Sequence, residues 1–302
     1  MHNERLPAEK LTQGYCEMIT QKAYAKINLT LEVLGKREDG YHEIATIMQT
    51  IDLADLFTFE EAEELNVYCP YAEGINRELV KDTILKSVET LRRETGCTKG
   101  CDVRMETIDI PRAAGLGSSA TDSAAVLKGL NLLWGLKINT GDLERIAAKL
   151  GSDTPFFIRG GTALAEGRGE CITPLPSTDP FRLIILDPHV PCLHNKTALM
   201  YSILSTEHFS TGKPTNEMMI QLLYRSSVDS GRFFNTFESV ASEVVPELSE
   251  YWQKFLEAGA KRVHLAGAGP AMFTLPEDEA AENWIIEGLA GRGIEGLVTS
   301  TV

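Results

Sequence analysis

Three short stretches of this 302-residue chain carry residue types that could act on a phosphorylated ligand. The most informative is I-D-I-P-R-A-A-G-L-G-S-S, residues 108–119, in which a strand and a proline lead through glycines and serines into an apolar helix. Glycines let the backbone turn tightly and approach a ligand, consecutive N–H groups form a nest, and the free amides and positive dipole end of the helix face the same point. Phosphate is the natural occupant. The stretch is not a Walker loop, because G-x-x-x-x-G-K-[ST] is absent, and it is not a dinucleotide fingerprint, because G-L-G lacks a third glycine. It also reads as a plain helix start with serine caps. The second stretch is G-S-D-T-P-F-F, where Asp153 sits between glycine and proline at the end of a helical segment; an acid there is a candidate proton acceptor, and equally a helix cap or turn residue. The third is His264 to Phe273, H-L-A-G-A-G-P-A-M-F, a glycine turn between two short strands that reads equally as a tight hairpin.

The elements that must position these groups follow from periodicity. Ala23 to Leu34 alternates apolar and polar residues as a half-buried strand does, which puts Lys26 and Asn28 on one face. Gly35 to Gly40 is a turn cluster, and Ile44 to Phe59 reads as a second strand. Leu79, Ile84, Leu85, Val88 and Leu91 give the stretch from Arg77 to Thr95 the spacing of an amphipathic helix. Val103 to Ile110 predicts a short strand, Ala124 to Leu136 a buried helix, and Gly141 to Leu150 a further helix broken by residues 151–157. Later strands are predicted at Gly161 to Glu166, Phe181 to Asp187, Arg262 to Ala266 and Ala271 to Leu275. Ser205 to Thr215 is a loop with helices on either side, and Ala280 to Gly291 is a helix. Helices and strands mix without strict alternation, so the expected class is α+β rather than a doubly wound parallel sheet.

Composition narrows the function classes. Hydrophobic residues make up 43% and charged residues 24%, as in ordinary globular proteins, and the length suits one large or two ordinary domains. The net charge of −14 repels nucleic acid and anionic membrane, so neither is an expected partner. No apolar run is long enough for a membrane span, and the start of the chain lacks the pattern of a signal peptide. The first 20 residues read as an extension. Of the cysteines Cys16, Cys69, Cys97, Cys101, Cys171 and Cys192, only Cys97 and Cys101 are close; a lone C-x3-C is a weak zinc signal, and reduced thiols in a cytoplasmic protein are the expectation.

Taken in order, the motifs resemble those of the GHMP small-molecule kinases: a Lys-bearing strand, a proline-led G-L-G-S-S loop and a C-terminal glycine turn. The resemblance runs from about residue 20 to residue 275, and A-Y-A-K-I-N-L to D-G-Y-H-E-I (23–44) is its most specific part. That part is similar to the branch that phosphorylates a cytidine diphosphate-linked methylerythritol; G-S-D-T-P-F-F and A-G-A-G-P-A-M-F agree with it. The implied fold has a ribosomal protein S5 domain 2-like N-terminal half, residues 21–160, and a ferredoxin-like C-terminal half, residues 161–302, with the active site in the cleft. The implied cofactors are ATP and Mg²⁺, the implied assembly a monomer or homodimer.

The resemblance also assigns roles. Asp153 would accept the hydroxyl proton and Lys26 would stabilise the developing negative charge. Pro111, Ala113, Ala114, Gly115, Leu116, Gly117, Ser118, Ser119, Ala120 and Thr121 would hold the ATP phosphates. His42 would bond a cytosine edge, Tyr41 and Tyr201 would sandwich the ring, and Asn28, Gly267 and Gly269 would line the alcohol site. The loop departs from the branch's usual G-L-G-G-G-S-S: Ser118 and Ser119 stand where glycines are usual, and Ala120 and Thr121 where the serines are. That form also suits relatives acting on mevalonate, phosphomevalonate or homoserine, and a catalytically silent phosphate-binding relative is the alternative of another class.

Overall fold

The computed structural model describes residues 18–72, 74–190 and 195–302; Cys16, Cys192 and residues 1–17 of the extension lie outside the described residues. Two long strands organise it. β1 (Ile19–Lys36) and β2 (His42–Glu60) pair antiparallel from Ile19↔Phe59 to Lys36↔His42, with three register shifts along the way. After β3 (Leu65–Tyr68) comes α1 (Arg77–Thr95), capped by the Asn76 side chain at one end and by left-handed Gly96 at the other. The buried stripe of α1 uses Val80, Ile84, Val88 and Leu91; Leu79 faces solvent instead of the core.

β4 (Cys101–Thr107) pairs with β2 and leads through the glycine loop into α2 (Ser118–Leu133), followed by α3 (Thr140–Ala147) and α4 (Thr154–Arg159). The segment that reads as a break at residues 151–157 thus opens a short helix, with Pro155 in its first turn where a missing N–H costs nothing. β5 (Thr162–Gly167) and β6 (Cys171–Pro174) continue off β2 in the first sheet. β7 (Arg182–Leu186), α5 (Lys196–Ser202) and α6 (Lys213–Tyr224) follow, then β8 (Phe234–Asn235), α7 (Ala241–Val244), α8 (Leu248–Glu257), β9 (His264–Leu265), β10 (Met272–Thr274), α9 (Glu279–Ala290) and β11 (Leu297–Ser300). The second sheet runs β11-β7-β10-β9, all antiparallel. This mixed architecture agrees with the expected α+β class.

The core falls into three clusters across the two sheets. One cluster packs α1 and α2 against β2 and β4, and another packs α8 and α9 against β7 and β9. Between them lie Ala25, Ile27 and Leu29 of β1, Leu183 and Ile185 of β7, and Ala114, Leu116, Ala266 and Ala271, the residues that flank both glycine turns. Close packing of these small and branched side chains fixes the turns from behind.

β1 differs from the expected half-buried strand. Its polar row is as buried as its apolar one: Lys26, Asn28, Thr30 and Glu32 are all nearly inaccessible. Each is spent on an internal bond. Thr46 Oγ1 accepts from Asn28 and donates to the Thr30 carbonyl, and the Glu32 carboxylate accepts the amides of Gly212 (3.0 Å) and Thr215 (2.7 Å) at the start of α6. A buried carboxylate on free helix amides satisfies both sides. Glu32→Ala leaves those donors orphaned, and we expect a loss of about 2–4 kcal/mol, read as a lower denaturant midpoint, with a smaller loss in Glu32→Gln.

Candidate active site

The glycine loop, the Lys-bearing strand and the C-terminal glycine turn meet at one place. The Lys26 amide donates to the Leu116 carbonyl (3.0 Å), and the Ala271 amide to the Ala114 carbonyl (3.1 Å), so the loop is tied to β1 on one side and to the 266–271 turn on the other. Backbone approach is closest at Gly115 (φ +88°), where an added Cβ would lie 1.8 Å from the Ala266 carbonyl oxygen. At Gly267 (φ +54°) a Cβ would lie 2.8 Å from the Gly115 carbonyl oxygen and 3.2 Å from Lys26 Nζ. Only glycine fits such positions.

The helix start also explains the unusual serines. α2 begins at Ser118, with left-handed Gly117 as its N-cap, so Ser118, Ser119 and Ala120 are first-turn residues and none of them has a positive φ. Helical backbone accepts serine at no steric cost. The Thr121 amide donates to the Gly117 carbonyl at 2.9 Å, closing the first helical bond. Among the described residues, the amides from Ala113 to Ala120 donate to no other backbone carbonyl. Together with the helix dipole these uncommitted donors suit phosphate oxygens. Ala113 itself is left-handed (φ +54°), a strained state for a residue with a Cβ.

Pro111 and Arg112 lead into this loop above a buried charge cluster that the sequence reading did not single out. Arg112 bonds Asp55 (2.6 Å) and Asp122 (2.5 Å), and Asp55 also accepts the amides of Asp109 and Ile110. Both carboxyls are buried, and burial pushes the Asp122 carboxyl up, against the attraction of Arg112 and with the repulsion of Asp55. The cluster ties β2, the loop and α2 together across more than fifty residues of chain.

Asp153 occupies the N-cap position of α4 but makes no capping bond. Its carboxylate instead stands 3.8 Å from Lys26 Nζ and is 40% exposed, open to a ligand on the side away from the lysine. Lys26 is 3% exposed and donates to Asn28 Oδ1 at 2.7 Å. Burial pushes its ammonium below the ordinary lysine value, and Asp153 pulls partly back. A cation held dry beside an accessible carboxylate can stabilise charge on an oxygen while the acid takes its proton.

A second cluster lies beyond Asp153. His42 stacks on Tyr201, with ring centroids 4.9 Å apart and an interplanar angle of 21°, and Phe209 meets His42 edge-on at 6.0 Å. Burial pushes the His42 imidazolium down, with Lys36 repelling it further, which favours the neutral ring. Burial and the Asp153 charge push the Tyr201 phenol up. Tyr41 is exposed and lies beneath the guanidinium of Arg168, 4.7 Å from its ring centroid. Gly169, next to Arg168, would place a Cβ 3.6 Å from Asp153 Oδ1, so the β5–β6 turn adjoins both groups. Gly269 lies farther from Lys26, packed on the Leu265 side chain. Arg168 falls at a variable position of G-T-A-L-A-E-G-R-G-E (161–170), Phe209 belongs to no motif of spacing, and only the folded chain brings them beside Tyr41 and His42.

The chain is similar to known proteins along most of its length. Residues 82–161 match the GHMP kinases N terminal domain and residues 213–294 the GHMP kinases C terminal domain. The chain is 38% identical over 285 residues to the 4-diphosphocytidyl-2-C-methyl-D-erythritol kinase of Dehalococcoides mccartyi strain BAV1, covering 94% of this chain and 99% of that one. It is 36% identical to the enzyme of the same name from Gloeobacter violaceus, covering 93% of each. Its fold superposes on a crystal structure of 4-(cytidine 5'-diphospho)-2C-methyl-D-erythritol kinase with a TM-score of 0.76 at 28% identity, over 94% of this chain and 99% of that one. A homoserine kinase from Cytophaga hutchinsonii shares the fold, with a TM-score of 0.71 at 20% identity over 97% of each chain.

Proposed function

Because the chain belongs to the GHMP kinases, and among them to the 4-diphosphocytidyl-2-C-methyl-D-erythritol kinase family, we propose that it transfers the γ-phosphoryl group of ATP to the 2-hydroxyl of that cytidine diphosphate-linked alcohol, a step of non-mevalonate isoprenoid synthesis. The observation that carries the reading is the Lys26–Asp153 pair, 3.8 Å apart beside the glycine loops. The substrate hydroxyl oxygen attacks the γ-phosphorus, the bond to the β–γ bridging oxygen breaks, ADP leaves, and the hydroxyl proton passes to Asp153. Lys26 stabilises negative charge on the attacking oxygen, and Asn28 fixes the lysine's direction. Amides of the loop from Ala113 to Ala120 hold the phosphates; Pro111, Leu116 and Thr121 shape the loop and its helix. Neutral His42 can donate to and accept from a cytosine edge, Tyr41 and Tyr201 flank the base, and Arg168 offers a cation to the diphosphate. Gly267 leaves room for the alcohol beside Lys26, whereas Gly269, packed on Leu265, shapes the turn behind it.

Among the described residues no group of three or more His, Cys, Asp or Glu could hold a metal ion alone. The fitting donors for Mg²⁺ are therefore nucleotide phosphate oxygens and water. Bound there, the ion would neutralise charge on the triphosphate, which a chain of net charge −14 otherwise repels. The same reading puts the nucleotide on residues 21–160 and completes the cleft from residues 161–302. No described helix is long and apolar enough to cross a membrane; a cytoplasmic monomer or homodimer belongs to this reading.

The test is a coupled ADP-release assay with the cytidine diphosphate-linked methylerythritol, mevalonate, phosphomevalonate and homoserine side by side. Turnover of the first alone supports the reading; turnover of another alcohol instead removes the roles given to His42 and Tyr41. A pH dependence follows from Lys26. Its charge is lost as pH rises through a value below the ordinary 10.5, so kcat/KM, which reports the free enzyme, should fall on the alkaline side before an ordinary lysine titrates. An alkaline limb at or above that value counts against Lys26 as the charge stabiliser.

A further inference from the structure

A second buried lysine serves the phosphate loop from behind. Lys196 opens α5, far in sequence from every motif, and its side chain is 8% exposed. Its ammonium donates to the Ala113 carbonyl at 3.0 Å and to the Gly269 carbonyl, one in each glycine turn. Both acceptors belong to residues with left-handed backbone, Ala113 at φ +54° and Gly269 at φ +66°. These are the places where the chain needs outside help to keep its shape, above all Ala113, which has a Cβ.

We propose that Lys196 is a positioning residue for ATP: its ammonium clasps the two glycine turns and so aims the phosphate-binding amides. The geometry follows from the peptide unit. The Ala113–Ala114 bond is trans, so its C=O and the next N–H point in opposite directions; a cation that fixes the carbonyl on one side fixes the Ala114 amide toward the other. Without the clasp the Ala113 peptide can relax out of its left-handed state and turn that donor away. The second bond, to Gly269, holds the opposite turn against Gly115, where the backbones are already in contact. The buried charge also makes the potential at the nest more positive, in a protein whose net charge works against a triphosphate.

The inference rests on the kinase reading, and binding measurements separate the two. Titration calorimetry with a non-hydrolysable ATP analogue and magnesium is carried out on the wild-type chain, Lys196→Met and Lys196→Arg, with KM for the alcohol measured in parallel. Charged hydrogen bonds of this kind predict an analogue Kd at least about tenfold weaker in Lys196→Met, with the KM for the alcohol within about twofold and partial recovery in Lys196→Arg. If the wild-type chain binds no analogue, the kinase reading itself fails. If the wild type binds it and Lys196→Met binds it within about threefold as well, or if both substrates weaken alike, the clasp is refuted. Should Lys196→Met not fold, Lys196→Gln, which keeps one donor without the charge, is held to the same thresholds.

Discussion

Asp153→Asn is expected to lower kcat by about 10²–10⁴-fold, the range for losing a general base, while leaving ATP affinity and stability close to wild type. The expectation of intact folding comes from what Asp153 does not do. It stands at a helix N-cap and caps nothing, so asparagine, itself a favoured N-cap residue, sacrifices no helix bond. Its ion pair with Lys26 is long and solvent-screened on the carboxylate side, so its loss costs little. A structural acid would behave in the opposite way, losing stability and keeping turnover. Parallel measurement of kcat, analogue Kd and denaturant midpoint separates the two, and unchanged turnover in Asp153→Asn sinks its assignment as base.

The contrast between Asp153 and Lys196 shows what a sequence can reveal here. Asp153 is visible because glycine and proline around it mark a turn, although the sequence cannot say whether its carboxylate turns back onto the helix or out toward Lys26. Lys26 and Asn28 are visible because alternation in β1 puts them on one face, and their 2.7 Å hydrogen bond bears that out. Alternation failed for the burial of that face, since period-2 polarity predicts solvent but not an internal network ending at α6. The two glycine turns are each readable, yet the close packing against Ala266 that leaves no space for a Cβ at Gly115 joins segments about 150 residues apart. Lys196, in N-K-T, has no local signal at all. The pairing of Arg112 with Asp55 and Asp122 is likewise illegible, because charge pairing across β2, the loop and α2 leaves no period in the chain. Short strands such as β3, β6 and β11 escaped for a simpler reason: four residues carry too little pattern to register.

Lys26→Met makes the second large effect, and its two consequences have opposite signs. Loss of the cation beside the attacking oxygen is expected to reduce kcat by about 10²–10³-fold, as for other preorganised charge stabilisers. Stability is expected to rise by about 1–3 kcal/mol, because methionine fills similar volume without the desolvation cost of a buried ammonium, while the Asn28 acceptor left behind forfeits only part of that gain. The pH dependence tests the cause. Burial lowers the Lys26 pKa in the folded chain, so between that value and the ordinary 10.5 the unfolded chain binds the extra proton, and wild-type stability rises with pH through this window. Methionine has no proton to exchange, so the stability gap between variant and wild type should narrow as pH climbs toward 10.5. A variant that unfolds more easily than wild type yet still turns over would mean that the lysine is there for the fold; one that is inert and sturdier means that the fold tolerates a buried charge because the reaction needs it.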